Sequence, residues 1–240
     1  NIYVAACQGR LKKIESWLCG PDGDVDLADD FGQTLLHGAA GSGQDVLVSL
    51  LLQKYDPHLN TRDIQGNTPL IWAATKGHID VVHALLETDT QCAIDHRIRN
   101  EHGRSALDCA AERQYWDIII TLIRSSPHNL ENLAITFDAV MKQQKWNVLH
   151  EIMSSAVENQ NYGVVDDILS AGVTYQKWNV VRSIAGQDFN FKLEILNKTI
   201  TCAIHQEEWS VVQALLLHDR QFDADILDVA LVAAAKSQKW

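Results

Sequence analysis

Ten histidines, five cysteines and a run of closely spaced aspartates are the side chains here that could bind metal, move protons or attack a carbon centre. Each of those chemistries demands a spacing. A helical zinc site places two histidines one turn apart around a glutamate, as H-E-x-x-H. His150-Glu151 and His205-Gln-Glu-Glu208 hold the residue types without that order. The aspartates Asp22, Asp24, Asp26, Asp29 and Asp30 suggest calcium, but an EF-hand loop needs D-x-[DN]-x-[DN]-G and a later glutamate. Asp26 runs into Leu27, and no glutamate follows at the required place, so this stretch reads as a solvated loop.

Nucleophilic catalysis by cysteine needs a neighbouring histidine and a group to orient it. Cys109 and Cys202 fall on the inner helices of a repeated block, and Cys7 follows Ala5-Ala6. In such places a thiol behaves as a small apolar residue, so buried and inert thiols are expected. The cysteines (Cys7, Cys19, Cys92, Cys109, Cys202) are odd in number and form no C-x-x-C pair. That argues against a disulfide framework or zinc module and for a reducing, cytoplasmic compartment. No Gly-rich phosphate loop and no Ser-His-Asp set is present. No catalytic, cofactor-binding or metal-binding residue is assigned, and the chain reads as a non-enzyme.

Bulk properties narrow the partners. Of 240 residues, 46% are apolar and 21% charged, as in an ordinary folded protein. The net charge of −11 is spread evenly: 11 Lys and Arg face 17 Asp and Glu over residues 1–125, and 9 face 14 over 126–240. No basic stripe exists to neutralise phosphates, which disfavours nucleic acid and anionic membrane surfaces. The longest apolar stretch near the end, Val229–Ala235, is far below the roughly 20 residues of a membrane span. No secretory leader is visible, because Arg10, Lys12 and Lys13 interrupt Asn1–Trp17.

The elements that would position any site emerge when the chain is laid on itself. The clearest block runs from Asp63-Ile-Gln-Gly-Asn-Thr-Pro-Leu70 through Ala73-Ala74 and Gly77-His-Ile-Asp-Val-Val82 to Leu85-Leu86. A copy lies 34 positions earlier, from Asp29 to Gly43, followed by Leu50-Leu51-Leu52. Another lies 37 positions later, from Asn100 to Ala111, followed by Trp116-Asp-Ile-Ile119. A partial copy opens the chain at Ile2-Tyr3-Val4-Ala5-Ala6. Thr68 can cap a helix and Pro69 suits its first position. Leu70, Ala73 and Ala74 share a face, Gly77 suits a turn at positive φ, and Val81, Val82, Leu85 and Leu86 face inward on a second helix. Asp63-Ile-Gln-Gly66 reads as a finger tip.

This block resembles the ankyrin repeat, and the resemblance covers roughly residues 1–126. It implies an all-α fold: an ankyrin-type α-solenoid, or alpha horseshoe, of stacked helix pairs carrying short β-hairpin fingers in the N-terminal half. His37 and His78 stand where ankyrin units commonly carry histidine for internal hydrogen bonds. Each pair exposes an apolar face alone and is stabilised by its neighbours.

Beyond Pro127 the Thr-Pro-Leu-His signature gives way to Gln144-Lys-Trp-Asn-Val-Leu149, Gln176-Lys-Trp-Asn-Val-Val181, Glu207-Glu-Trp-Ser-Val-Val212 and Gln238-Lys-Trp240. The tryptophans are 32, 31 and 31 residues apart, and Trp116 aligns them with Ile79. They are therefore expected to form a packed ladder, with Asp80, Asp117, Asn147, Asn179 and Ser210 capping the next helix or favouring its positive end. Fifteen residues separate Leu52 from Thr68, but only eight separate Ile184 from Leu193, too few for a finger. Fingers should end near residue 105. Residues 127–240 are expected to be degenerate ankyrin-like helix pairs continuing the solenoid. Neither end carries a polar cap, which suggests a larger parent chain.

The resemblance implies a scaffold that binds another protein, as a monomer and without insertion into a membrane. Its surface would comprise the finger tips and exposed first-helix positions: Asp30, Phe31, Gln33 and Ser42; Arg62, Ile64, Gln65, Asn67, Thr75 and Lys76; Arg99, Glu101, His102, Arg104, Glu112 and Arg113. An apolar anchor beside arginines is the composition of binding hot spots. The rival reading is a targeting module of a larger enzyme whose catalytic part lies outside the segment. Irregular arrays of this kind are also similar to secreted effectors of intracellular bacteria, which work in the host cytoplasm.

Overall fold

The computed structural model describes residues 2–87, 94–125, 133–158, 161–186 and 193–216, together with Asp228 and Val232. Cys92, Pro127 and Trp240 lie outside these residues. The chain divides into two compact units, Asn1–Asn129 and Leu130–Trp240.

In the first unit the helices come in antiparallel pairs: α1 (Ile2–Cys7) with α2 (Leu11–Leu18), α3 (Leu35–Gly41) with α4 (Asp45–Tyr55), α5 (Pro69–Lys76) with α6 (Ile79–Leu86), and α7 (Ala106–Arg113) with α8 (Trp116–Ser125). The first helices α1, α3, α5 and α7 stack in one layer, and α4, α6 and α8 stack in a second. Small residues make the first layer close: Ala5, Ala6, Ala39, Ala40, Ala73, Ala74, Ala110 and Ala111 are all buried. Branched residues fill the space between layers, among them Leu47, Leu51, Val81, Val82, Leu85, Ile118 and Ile119.

The ends of these helices follow from local chemistry. Thr68 Oγ1 accepts from the Ile71 N–H at 3.3 Å, and Pro69 follows at the first helical position. Gly77 closes α5 with φ +81°. The equivalent turn in the next repeat is made by Gln114 at φ +62°. His37 accepts the Thr34 N–H at Nδ1 (3.1 Å), and its Nε2–H reaches the Asn67 carbonyl at 3.1 Å, so it joins its own helix start to the next repeat. His78 Nε2 lies 3.2 Å from the Gly41 carbonyl.

The second unit contains α9 (Ala134–Gln143), α10 (Trp146–Glu158), α11 (Tyr162–Thr174), α12 (Trp178–Ala185), α13 (Leu193–His205) and α14 (Trp209–Leu216). Consecutive helices again pair, α9 with α10, α11 with α12 and α13 with α14. Helix α11 packs on both α9 and α13, and α12 on α14. Gln144, Gln176 and Glu207 hold the left-handed turns between paired helices, at φ +54°, +53° and +57°. The Gln-Lys-Trp and Glu-Glu-Trp motifs thus begin with the turn that Gly77 makes in the first unit.

Four expectations change. The tryptophans open their helices but do not form a fully buried ladder: Trp116, Trp178 and Trp209 are half-buried, and Trp146 is 36% exposed. The deep positions belong to the valines, leucines and isoleucines that follow. Asp80 and Asp117 are the second residues of their helices, two past the N-cap position, so of the two expected roles they fill only that at the positive helix end. Cys109 is buried, whereas Cys7 and Cys19, at the first helix pair, are exposed. No strand occurs among the described residues, and the expected β-hairpin fingers are turn segments between helices.

Candidate functional site

The finger tips are built from one repeated device. An Asp or Asn accepts two backbone N–H groups, two and four residues ahead, and its own N–H bonds the carbonyl four residues on. Asp29 Oδ1 accepts from Phe31 and Gln33, both at 2.9 Å. Asp63 Oδ1 accepts from Gln65 at 2.9 Å and Asn67 at 2.8 Å. Asn100 Oδ1 accepts from His102 at 3.0 Å and Arg104 at 3.1 Å. The closing bonds run from the N–H groups of Asp29, Asp63 and Asn100 to Gln33, Asn67 and Arg104. Short polar side chains favour such turns because they satisfy the backbone without a sheet. Each turn also contains a glycine; Gly66, at φ +74°, lies against the backbone of Asn100 and Glu101, where a Cβ would sit 3.1 Å from the Glu101 nitrogen.

Neighbouring tips are bonded to one another. The Ile64 N–H donates to the Phe31 carbonyl at 3.0 Å, and the Glu101 N–H donates to the Gln65 carbonyl at 2.9 Å. Asn100 Nδ2 donates to Asn67 Oδ1 at 3.0 Å, and Arg62 Nη2 donates to the Arg99 carbonyl at 3.0 Å. The tips therefore form a continuous hydrogen-bonded edge from Phe31 to Glu101.

Of the residues expected at the surface, Asp30, Phe31, Arg62, Ile64, Gln65, Lys76, Glu101, His102, Glu112 and Arg113 are exposed. Gln33, Ser42, Thr75, Arg99 and Arg104 are half-buried. Asn67 departs from expectation: it is buried, and its amide is spent on Asp63 and Asn100. The arginines are also more committed than expected. Arg99 Nη1 reaches Asp108 Oδ2 at 2.8 Å, and Arg104 Nη1 reaches Glu112 Oε2 at 2.8 Å.

A cavity of about 160 Å³ gathers part of this surface, bringing Gln65, Thr75, His102, Arg104, Glu112 and Arg113 around Trp72, with Cys109 also lining it. Trp72 was not among the expected site residues. Its Nε1–H donates to Asp63 Oδ2 at 2.8 Å, and the Lys76 ammonium stands 5.5 Å from its ring centroid. Gly38, Trp72 and Cys109 occupy one repeat position, and that variation is the sequence signal that could have revealed it. Burial pushes the Cys109 thiol up, which keeps it protonated and unreactive. Among the described residues no three His, Cys, Asp or Glu side chains converge to hold a metal ion. No helix among them is long and apolar enough to cross a membrane. In the second unit a broader groove of about 570 Å³ runs along α10 and α12, lined by Trp146, Met153, Val157 and Val180 among others.

Comparison with known proteins gives this geometry its family. A family model described as ankyrin repeats in three copies matches residues 2–96, and a second, of many copies, matches residues 70–123. Human Rabankyrin-5 is 30% identical over 122 residues, which is 51% of this chain and 10% of that protein. The Ankyrin repeat and LEM domain-containing protein 2 homolog of Caenorhabditis elegans is 43% identical over 75 residues, 30% of this chain and 12% of its own length. The Probable E3 ubiquitin-protein ligase XBOS32 of Oryza sativa subsp. japonica is 33% identical over 90 residues, 37% of this chain and 17% of that protein. The chain thus spans less than a fifth of each of these relatives. With capped helix pairs, bonded finger tips and family matches over the same residues, this chain belongs to the ankyrin-repeat family through residues 2–123.

Proposed function

We propose that this chain is a protein-interaction scaffold that binds a partner protein on its finger tips and the exposed positions of its first helices, with no catalysis of its own. The observation that carries this reading is the pairing of Phe31 and Ile64. Each is 60% exposed, and the two sit on neighbouring tips joined backbone to backbone. Two large apolar side chains carried on adjoining, hydrogen-bonded tips make an apolar spot that a partner can cover. Covering each contributes roughly 1.5–3 kcal/mol. Because the tips are already ordered, little is lost to ordering them on binding. Family membership supports the same reading, since ankyrin repeats are interaction modules. Around the two anchors the surface comprises the expected residues from Asp30 to Arg113, with Asn67 acting from beneath through Asp63 and Asn100. The partner is a protein rather than a nucleic acid, in keeping with the net charge of −11. Free Cys7, Cys19, Cys109 and Cys202 suit a reducing, cytoplasmic compartment.

The test is a variant carrying Phe31→Ala, Gln65→Ala and Arg104→Ala. Phe31 and Gln65 are exposed and the half-buried Arg104 pairs with Glu112 in a solvent-open ion pair, so each change should shift stability by about 0.5 kcal/mol. Partner affinity should fall at least tenfold, about 1.4 kcal/mol, if one tip is an anchor. Should the variant bind normally while a shortened chain ending at residue 126 fails, recognition belongs to the Gln-Lys-Trp repeats instead.

A second reading draws on one observation: a relative of this chain over 90 residues carries the name of an E3 ubiquitin-protein ligase. In that reading the repeats deliver a bound protein to a catalytic part of a longer chain. The same surface would do the binding, and the partner would leave chemically modified.

A further inference from the structure

We propose that the cavity between α5 and α7 is a subsite for one carboxylate side chain of an acidic peptide segment; this rests on the finger-surface reading above. Its volume of about 160 Å³ suits a single side chain, since pockets for drug-sized ligands run roughly 300–1,000 Å³. Arg104 and Arg113 stand on its wall and Glu112 between them in the sequence. Arg113 is exposed at the end of α7 and forms no ion pair among the described residues. Arg104 already holds a carboxylate, that of Glu112, at 2.8 Å, with the two side chains 44% and 32% exposed. An ion pair that open to solvent is worth about 0–1 kcal/mol, so an incoming carboxylate can displace it. Glu112 thereby marks where such a group is held.

Charge placement points the same way. Lys76 stands over Trp72, and the Arg62 guanidinium bonds only the backbone carbonyls of Gly66 and Arg99. Among the described residues these cations, with Arg113, have no carboxylate partner. The acids Asp45, Asp80 and Asp117 of the same unit open the second helices, and Asp30, Glu101 and Glu112 are the exposed acids among the finger-surface residues. In a chain of net charge −11, Arg62, Lys76 and Arg113 are the cations that would draw an acidic segment to this cavity.

The probes are short synthetic peptide pools, otherwise random, with the central residue set to Glu, Gln, Lys or phosphoserine, titrated against the intact chain. The Glu pool should bind about fivefold tighter than the Gln pool. That preference should vanish in Arg113→Gln and grow in Glu112→Gln, where Arg104 is freed. Both positions are exposed, and unchanged urea unfolding would verify that neither variant is misfolded. Equal binding of the Glu and Gln pools, no binding of the Glu pool, a preference for phosphoserine, or a Glu preference that survives Arg113→Gln would each overturn the subsite. Binding that is indifferent to the central residue but lost on Phe31→Ala and Ile64→Ala overturns the subsite and keeps the finger surface. A Glu preference that survives both Arg113→Gln and the tip substitutions overturns both.

Discussion

Trp72 donates its indole N–H to Asp63 Oδ2 at 2.8 Å, while the other oxygen of that carboxylate accepts the N–H groups of Gln65 and Asn67. One buried acid therefore closes a finger turn and ties it to the helix beneath. The tip cannot swing without breaking a bond to the wall of the cavity. Surface and support are mechanically one piece.

Asp63→Ala would strand those three donors, two of them backbone groups. Leaving a buried donor unsatisfied costs about 1–3 kcal/mol. Partial access to water at the tip should bring the total to about 3 kcal/mol. Asp63→Asn keeps an acceptor for the turn, as Asn100 does in the next repeat, and should cost about 1 kcal/mol. Urea unfolding of the two variants gives both values, and equal losses would show that the turn bonds contribute little.

His37 sets a pH dependence. Burial lowers its pKa, partly opposed by its bond to the Asn67 carbonyl and by the charge of Asp63. Nδ1 accepts from the Thr34 N–H, so a second proton there would face a donor. The unfolded chain takes up that proton near pH 6.5 while the folded chain does not. Stability from this group is therefore complete above about pH 6.5 and declines as pH falls below it, down to the lowered folded pKa. Denaturation midpoints of the wild type and His37→Gln across this range should converge in slope above neutrality. A wild type no more acid-sensitive than His37→Gln would show that the imidazole is not buried.

Gln176 occupies the left-handed region at φ +53°. A non-glycine residue there costs roughly 1–2 kcal/mol. Glycine removes that strain but adds freedom to the unfolded chain, worth about 0.4–1 kcal/mol. Gln176→Gly should stabilise the second unit by about 0.5 kcal/mol, and Gln176→Val, β-branched, should destabilise it by about 1–2 kcal/mol. Thermal unfolding distinguishes the two signs.

Trp178 is half-buried at the start of α12, which packs on α11 and α14. A fully buried tryptophan cut to alanine loses about 3–5 kcal/mol. Trp178→Ala should lose about 2 kcal/mol, with hydrogen exchange rising in α11, α12 and α14 before the first unit responds. Unchanged protection in those helices would make Trp178 a surface residue.

What the sequence determined by itself was local. The Asp63-x-x-Gly66 turn, the Thr68-Pro69 helix start and the Gly77 stop each depend on groups within about four residues, so residue identity and spacing were enough to read them. The helix pairs followed from the period. What tertiary structure alone decided was each side chain's exposure and commitments, because those depend on the repeat stacked alongside. Asn67 is buried by Asn100, 33 residues away, and Arg62 is held by the carbonyl of Arg99, 37 residues away. Cys7 is exposed while Cys109, on a first helix of the same layer, is covered in the stack. The left-handed Gln144, Gln176 and Glu207 were hidden for a related reason: glutamine and glutamate carry no local preference for that conformation, and packing of the paired helices imposes it. The cavity is the clearest case. Its wall joins Trp72 of one repeat to Cys109 and Arg113 of the next, and it exists only because a large residue and a small one meet where α5 packs on α7.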